Sequence, residues 1–391
     1  MAAPTVLYLL DYTDLGGGET SFLALMEQWR RSAAGPPFRP EVIVTGRGPV
    51  SERLEALGVG IHVVGYPLRL RRGTLPWFSL AAARQIDNLM DALRPAVVHA
   101  NNFFGLTYAG VPARRRRVPL VWTCHGWYEL EGMAKRLIAR RFATHLACVS
   151  EAVRLEAARA LGRPDRTSTD YLGILPFQDK NAGGAAGELR DAVRHEFKLS
   201  PHAPLIAVLG RFQPIKGHAL LLDALPQIRR RVPDLKAWFI GDALFGSREE
   251  TEHKHLLEKR VRAEGLSDSV RFLGFRTDAR RLLRSLDALV IPSARESFSM
   301  VAVEGLEAGV PVIGPDGWGP REIIDAPATG LRFRPGDHQD LARVVVEALT
   351  RSGEAHAFDP AAGPRRVERL FSAQAHLERT LVLYRKLAPG F

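Results

Sequence analysis

The amino-acid sequence alternates short apolar runs with longer amphipathic segments, and this alternation constrains the fold more than any other feature. Short apolar runs predict buried strands, and amphipathic segments predict helices. Their regular alternation is typical of an α/β protein with a parallel, doubly wound sheet. In the first half, the pattern predicts strands at 6–10, 41–44, 60–64, 96–99, 120–124 and 145–149, and helices at 19–31, 51–57 and 80–93.

The alternation stops in a polar, glycine-rich segment at 177–188 and then restarts, which indicates two domains. We predict a Rossmann-like domain at 1–178, a linker at 179–190 and a second Rossmann-like domain at 191–371, facing a cleft where ligands bind. A final helix at 372–391 could pack back on the N-terminal domain or on the other. The second half predicts strands at 205–209, 236–240, 270–273, 286–291 and 310–313, and helices at 218–230, 249–264 and 277–285.

The chain has a net charge of +11, and its basic residues form clusters in the first half. Such clusters are suited to nucleic acid, anionic lipid or phosphorylated substrates, although a basic surface can also serve solubility alone. No zinc-finger spacing or aromatic RNA-binding signature accompanies them, so we expect no nucleic-acid partner. The clusters are Arg69, Arg71 and Arg72; the run 114–117, expected to be a solvated loop; and Lys135, Arg136, Arg140 and Arg141.

Cys124 and Cys148 are the only cysteines, and both lie in apolar, strand-like runs. We expect reduced core thiols, which predicts a cytoplasmic protein without a disulfide framework. The first residues are predicted to form a strand and not a signal peptide. No apolar run reaches the length of a membrane span, so we expect any membrane contact to be peripheral, at the inner face.

Two carboxylates, Glu296 and Glu304, are separated by seven residues and lie between two predicted strands. If one helix spans both residues, this spacing is a little over two turns and places both acids on one face. A helix that begins after a parallel strand is a common ligand site. Carboxylates at such a site are suited to binding the hydroxyls of a sugar or ribose. The alternative is an amphipathic helix with ordinary surface acids.

Arg211 and Lys216 lie in the loop between the predicted strand 205–209 and the following helix. Two cations beside a helix N-terminus are suited to a diphosphate, Arg211 as a planar fork and Lys216 as a point charge. The alternative is a pair of surface cations. In the first half, three glycines at 16–18 follow the first strand, where they could admit a phosphate to the backbone or form a plain tight turn.

His125 follows the predicted strand 120–124, where an active-site group is expected in a doubly wound sheet. A single histidine is nevertheless more often structural. His99, at the end of the predicted strand 96–99, is a weaker candidate for the same reason.

Together these segments resemble the retaining glycosyltransferases of family 4, which have the GT-B fold and include sucrose synthase-like and lipid mannosyltransferase-like enzymes. The matching segments follow the family's order and span most of the chain. The motif from Glu296 to Glu304, with its proline and glycine flanks, is the most specific of them. The segments lie at 16–19, 123–126, 149–151, 210–217, 272–274, 292–304, 309–313 and 330–337.

The resemblance implies a nucleotide-sugar donor bound mainly by the C-terminal domain and an acceptor held mainly by the N-terminal domain. Arg211 and Lys216 would neutralise the departing diphosphate, Glu296 would contact sugar hydroxyls, and Glu304 would hold the ribose. His125 would lie beside the transferred sugar. The implied catalytic residues are His125, Arg211, Lys216 and Glu296, and the implied donor-binding residues are Gly17, Gly18, Arg211, Lys216, Gly274, Phe275, Glu296, Ser297, Phe298, Ser299, Met300 and Glu304.

The chemistry that the resemblance implies needs no cofactor. The transition state is positive at the sugar and negative on the departing phosphate. Fixed cations around that phosphate stabilise it electrostatically, as a divalent metal does elsewhere, and no DxD-type metal pair is evident. Family members retain the anomeric configuration, and we assign no protein nucleophile.

The sequence departs from the family pattern at several positions. Trp318 stands where the family commonly has the first of two glycines, and its ring is expected to reshape the donor's sugar pocket. Ser297 and Ser299 replace frequent glycines but leave backbone N–H groups available. Leu172 stands where asparagine is frequent, and Glu307 where a small residue is common.

The leading prediction is therefore a retaining, metal-independent hexosyltransferase that uses a UDP-linked sugar. The alternatives are a sugar-nucleotide epimerase on the same fold and, in another class, a basic nucleic-acid-binding protein. The acceptor stays open among a small molecule, a saccharide and a lipid-linked molecule. The basic clusters, with Trp77, Phe78, Phe103 and Phe104 nearby in sequence, would suit docking on an anionic membrane.

Overall fold

A computed structural model describes the chain at residues 3–32, 35–66, 79–178, 186–243, 247–350, 358–389 and 391. Arg69, Arg71, Arg72, Trp77 and Phe78 lie outside the described residues. The chain divides into an N-terminal unit, Met1–Leu175 with Leu370–Phe391, and a C-terminal unit, Pro176–Arg369. Among the described helices, none is long and apolar enough to cross a membrane.

The N-terminal unit contains a parallel sheet, which within the described residues has seven strands in the order β3-β2-β1-β4-β5-β6-β7. The central strand β1 is buried throughout because helices cover both faces of a doubly wound sheet. The strands are β1 Thr5–Leu10, β2 Arg39–Val44, β3 Gly60–Val63, β4 Val97–Ala100, β5 Leu120–Cys124, β6 His145–Cys148 and β7 Thr167–Thr169. The helices are α1 Gly17–Arg30, α2 Pro49–Ala56, α3 Leu80–Leu93, α4 Phe103–Arg116, α5 Met133–Phe142 and α6 Glu151–Leu161.

The C-terminal unit repeats this architecture with a parallel sheet of six described strands in the order β10-β9-β8-β11-β12-β13. The strands are β8 Leu205–Leu209, β9 Lys236–Ile240, β10 Val270–Gly274, β11 Ala288–Val290, β12 Val312–Pro315 and β13 Gly330–Phe333. The helices are α7 Ala186–Glu196, α8 His218–Arg231, α9 Arg248–Ala263, α10 Ala279–Leu283, α11 Met300–Glu307, α12 Trp318–Ile323, α13 His338–Thr350 and α14 Ala362–Arg366.

Helix α7 begins inside the segment predicted as a linker, of which 179–185 lies outside the described residues. Two arginines fasten this helix to the C-terminal sheet. Arg190 and Arg194 donate to opposite carboxylate oxygens of Asp287, just before β11, at 2.6 and 2.8 Å. The polar residues of α7 therefore include arginines whose ion pairs hold this helix against the C-terminal sheet.

The run 114–117 is not the solvated loop that the sequence predicted. Its first three arginines form the last turn of α4, and Arg117 ends the helix in a left-handed conformation. Sequence reasoning missed α4 because Pro112 lies inside it and its glycines weaken helix propensity. Gly105 and Gly110 allow close packing, since a β-carbon would lie 2.9 Å from Leu9 and 2.5 Å from Phe142.

The C-terminal helix, α15 Ala373–Leu387, packs within the N-terminal unit against α1. Its buried Tyr384 hydroxyl donates to Tyr8 at 3.0 Å and also contacts Nδ1 of His99. The other ring nitrogen of His99 lies 2.8 Å from the Thr123 hydroxyl. With both nitrogens occupied in the core, where burial lowers its pKa to about 3, His99 has a structural role.

Candidate active site

The C-terminal unit brings Lys216 and Glu296 into direct contact. Lys216 Nζ donates to the two carboxylate oxygens of Glu296 at 3.0 and 2.9 Å. The loop after β8 carries the lysine, and the loop after β11 carries the glutamate. Since β8 and β11 are neighbours in a parallel sheet, their carboxyl ends lie at the same edge.

Gly217 is what lets these two loops approach each other. It adopts φ +73°, and a β-carbon there would lie 1.9 Å from the carbonyl oxygen of Pro292. The backbone of Ala294 also donates to the Ile215 carbonyl at 2.9 Å. The contact between Lys216 and Glu296 therefore rests on backbone packing that tolerates only glycine at residue 217.

Arg211 lies in the same loop and is paired with a different acid. Its Nε donates to Glu250 of α9 at 3.2 Å, and its Nη2 makes a closer contact with the same carboxylate. Sequence reasoning missed Glu250. In the sequence it is one of several acids at the start of a helix, and nothing else distinguishes it. Both cations that were predicted to hold a diphosphate are thus oriented by carboxylates before any ligand binds.

Glu296 and Glu304 do not share a helical face. Helix α11 begins only at Met300, because Ser299 adopts φ +96° and its hydroxyl caps the helix by accepting from the Ala302 N–H. Glu296 therefore lies in the preceding loop and Glu304 in the second turn. Of the intervening predicted residues, Phe298 is buried with Ser299, whereas Ser297 and Met300 are half-buried.

The carboxyl of Glu304 is half-buried, and its environment changes its acidity. Burial raises the pKa of Glu304 to about 7; the Arg280 cation opposes this shift and the Glu307 carboxylate adds to it. Near neutral pH the group can both donate and accept hydrogen bonds. Such a carboxyl is suited to the paired hydroxyls of a ribose.

Trp318 and Gly319 begin α12, directly after β12. Trp318 adopts φ +48°, a left-handed conformation, and its ring lies 5.8 Å from the Arg295 guanidinium. Gly319 donates its N–H to the Glu296 carbonyl at 3.1 Å, and a β-carbon there would lie 2.3 Å from the Phe298 carbonyl oxygen. The tryptophan is therefore attached to the loop that carries Glu296.

The residues predicted to receive the base lie at the same sheet edge, Gly274 as the last residue of β10 and Phe275 directly after it. Gly274 adopts φ +67° and accepts a hydrogen bond from the Gly241 N–H at 2.9 Å. The next side chain, Phe275, is 63% exposed. Strands β10 and β8 flank β9, so Phe275 and Arg211 follow strands that are two positions apart in the sheet.

In the N-terminal unit, the glycine loop and His125 lie together. Helix α1 begins at Gly17, and a β-carbon at Gly18 would lie 2.9 Å from Cε1 of His125. The glycine thus leaves room for the imidazole at the helix N-terminus. Burial lowers the pKa of His125 to about 4, so its ring is neutral at physiological pH.

Three polar atoms of residues that follow β4 and β5 are buried without a hydrogen-bond partner in the described part of the chain. They are Nε2 of His125, Nδ2 of Asn101 and Oδ1 of Asn102. The two asparagines follow β4, the neighbour of β5, so they lie at the same sheet edge as His125. Buried polar atoms are rarely left unpaired, so these three atoms are available to a polar ligand. Sequence reasoning assigned the two asparagines no role.

Two buried acids support this edge, and sequence reasoning missed both. Glu129 accepts from the His125 N–H at 2.6 Å, and burial raises its pKa to about 8. Asp11 accepts from the Tyr66 hydroxyl at 2.8 Å and from two N–H groups at the start of α4 at 3.1 Å. Burial raises the pKa of Asp11 to about 7. Only their positions in the sequence single them out, because Asp11 directly follows β1 and Glu129 lies four residues after His125.

Phe103 is not available as a membrane anchor, contrary to the prediction from its sequence neighbourhood. It is buried, and its ring packs 5.9 Å from that of Trp122. Within the described residues, no group of three or more histidines, cysteines, aspartates or glutamates is placed to hold a metal ion.

Two family models match the chain in succession. A model described as Glycosyltransferase Family 4 matches residues 15–174, and one described as Glycosyl transferases group 1 matches residues 190–363. With the two parallel sheets, these matches define the class: the chain belongs to the glycosyltransferases of the GT-B fold, as its sequence motifs predicted. Family 4 fits within that class.

Individual proteins agree with this assignment. The chain is 28% identical over 282 residues to a D-inositol 3-phosphate glycosyltransferase of Nocardia farcinica, a match that covers 68% of this chain and 60% of that protein. It is 25% identical over 294 residues to the putative glycosyltransferase EpsD of Bacillus subtilis, covering 72% and 74%. The crystal structure of Anabaena HepE in complex with UDP has the same fold, with a TM-score of 0.81, 21% identity and coverage of 98% and 100%.

Proposed function

We propose that this glycosyltransferase moves a hexosyl group from a UDP-linked sugar to an acceptor hydroxyl, with retention of configuration and without a divalent metal. The observation that carries the proposal is the Lys216–Glu296 ion pair at the carboxyl edge of the C-terminal sheet. HepE, which shares the fold, has been crystallised with UDP and with UDP-glucose, and this supports the choice of donor.

The donor diphosphate is assigned to Arg211 and Lys216. An incoming diphosphate offers more oxygen acceptors than either carboxylate, so each cation can turn part of its donor capacity toward the phosphates. The carboxylates of Glu250 and Glu296 hold the two cations in place before the donor arrives. Cations fixed in this way stabilise the charge that develops on the leaving group without reorganisation during the reaction.

Glu296 and Glu304 are assigned to the hydroxyls of the donor. Glu296 lies beside Lys216, so it can accept from a sugar hydroxyl next to the diphosphate. Glu304, whose pKa is raised to about 7, is assigned to the ribose. Gly274 and Phe275 are assigned to the base, with the exposed ring of Phe275 as a stacking surface.

The acceptor is assigned to the N-terminal unit. The unpaired atoms of Asn101, Asn102 and His125 are the polar groups that its hydroxyls would satisfy. The unpaired Nε2 of the neutral His125 ring can accept a hydrogen bond from a hydroxyl, and His125 is assigned to the transferred sugar as well. Gly17 and Gly18 leave the first N–H groups of α1 open to a phosphate. A small molecule, a saccharide and a lipid-linked molecule all present suitable hydroxyls.

Retention is assigned to attack on the same face of the sugar from which UDP departs, and no protein nucleophile takes part.

The proposed setting is the cytoplasm, where the buried thiols of Cys124 and Cys148 stay reduced.

Thermal unfolding with UDP, GDP and ADP in the presence of EDTA tests the donor assignment. A ligand present at a hundredfold excess over its Kd adds about 2.7 kcal/mol to the free energy of unfolding, so UDP is expected to raise the midpoint. Lys216→Ala is expected to lose this shift, whereas Lys236→Ala, which changes a half-buried lysine on β9 whose Nζ donates to the Asp268 carbonyl, is expected to keep it. If none of the three nucleotides raises the midpoint, the donor assignment is wrong.

A further inference from the structure

Helix α5 presents two large apolar side chains to solvent. Met133 and Leu137 are 70% and 56% exposed, and their spacing of four residues places them on one helical face. On the opposite face, Ala139 is fully buried against the N-terminal unit. An apolar pair on the outer face of a packed helix differs from apolar residues scattered singly, because it forms one contact surface.

Arginines lie at one end of this apolar pair. Arg140 and Arg141 are exposed and lie one turn after Leu137. Arg114 of α4 donates to the Arg141 carbonyl at 3.3 Å, so the end of α4 lies beside the end of α5. We name the set the α4–α5 surface, which consists of Val111, Arg114, Met133, Leu137, Arg140 and Arg141. Val111, one turn before Arg114, is 52% exposed, and Glu131 is the exposed acid just before α5.

Helix α5 is firmly attached to the rest of the N-terminal unit. Lys135 Nζ donates to the Tyr128 carbonyl at 2.8 Å, and Arg136 Nε donates to the Leu130 carbonyl at 2.9 Å. Both acceptors belong to the 3-10 helix Trp127–Leu130, which follows His125. The α4–α5 surface is therefore already formed before binding, and it is joined directly to the segment that holds His125.

We propose that the α4–α5 surface docks the protein on an anionic bilayer. Met133 and Leu137 enter the boundary between headgroups and acyl chains, and the arginines contact anionic headgroups. An apolar stripe flanked by arginines is the pattern of helices that lie in a membrane interface. A nucleic acid would neutralise the same arginines but leave Met133 and Leu137 in water. The docking does not depend on the sugar-transfer reaction proposed above.

Sedimentation of the full chain with sucrose-loaded vesicles tests the proposal. The vesicles are phosphatidylcholine alone or a 7:3 mixture of phosphatidylcholine and phosphatidylglycerol, at about 0.1 M salt, where screening still permits such contacts. The protein is expected to sediment with the mixed vesicles and not with phosphatidylcholine alone. The double variant Met133→Ser, Leu137→Ser is expected to bind at least tenfold more weakly at unchanged net charge. Leu256→Ser, which changes a 64% exposed leucine on α9, is the matched control and is expected to bind like the wild type.

Two results would overturn the docking proposal. One is equal binding of the serine double variant and the wild type, together with equal retention of both on DNA, which would identify a general polyanion surface. The other is the absence of sedimentation with the mixed vesicles. The midpoint shift with UDP, measured without vesicles, is expected to be the same in the double variant and the wild type. Failure of docking and failure of the donor assignment are therefore separate outcomes.

Discussion

Trp318 occupies a backbone conformation that usually requires glycine. Its φ of +48° lies in the left-handed region, which costs a residue with a β-carbon about 1–2 kcal/mol. The N–H of the next residue, Gly319, donates to the Glu296 carbonyl and holds the start of α12 against the loop that carries Glu296. Trp318 therefore adds a large ring at a position where the family commonly has glycine. We propose that this strained, bulky residue, attached to the loop that carries Glu296, takes part in choosing the donor sugar.

Trp318→Gly is expected to favour larger sugars. Removing the ring should raise kcat/KM for UDP-N-acetylglucosamine relative to UDP-glucose at least tenfold, the scale on which pocket shape discriminates between substrates. Relief of strain offsets the greater freedom of the unfolded chain, so the free energy of unfolding should change by less than about 1 kcal/mol. Lys198→Gly, which relieves a similar φ of +54° in the turn after α7, is the control and should leave the ratio unchanged. An unchanged ratio in the Trp318 variant would remove it from the sugar pocket.

At the scale of elements, the proposed donor site depends on how tightly two strand-to-helix loops pack. Gly217 has both a left-handed φ and a neighbouring carbonyl 1.9 Å from where a β-carbon would be. Gly265 has a similar φ of +64° but open space around it. Comparing a substitution at Gly217 with the same substitution at Gly265 therefore separates the effect of backbone strain from that of steric contact.

Gly217→Ala is expected to displace the loop that carries Lys216. The variant should lose the midpoint shift with UDP, and its free energy of unfolding should fall by at least about 1 kcal/mol more than that of Gly265→Ala. Chemical denaturation and the nucleotide shift measure the two effects. Equal behaviour of both variants would show that close packing against Pro292 does not position Lys216.

At the scale of the whole molecule, the two α/β units and their central strands could be predicted, because buried parallel strands appear in the sequence as uninterrupted apolar runs. Helix α4 could not, since Pro112 and two glycines that serve close packing hide its helical pattern. The closeness of Lys216 and Glu296 could be predicted in outline, because both residues follow strands of the same predicted sheet. The partnership of Arg211 with Glu250 could not, because Glu250 lies in the first turn of α9 and not at a strand end, so its position does not indicate Arg211 as its partner.

The return of α15 to the N-terminal unit also depends on distant contacts. The Tyr384 hydroxyl meets Tyr8 across 376 residues of sequence, and nothing in the C-terminal segment indicates which unit it joins. Buried acids such as Asp11 and Glu129 are a further example, because single carboxylates after a strand do not reveal the N–H groups that will satisfy them. Local patterns thus predicted the elements, whereas pairings over long sequence distances required the structure.

Proton NMR of UDP-glucose turnover in EDTA tests the central claim most directly, with water as the acceptor. UDP-glucose carries an α-linked sugar, so the account predicts that UDP is released without added metal and that α-glucose appears before mutarotation. Lys216→Ala should slow this release by at least about a hundredfold, the usual cost of removing one group that stabilises developing charge, whereas Lys236→Ala should not. Initial formation of β-glucose, or release of UDP only after magnesium is added, would contradict the proposed retaining, metal-independent transfer.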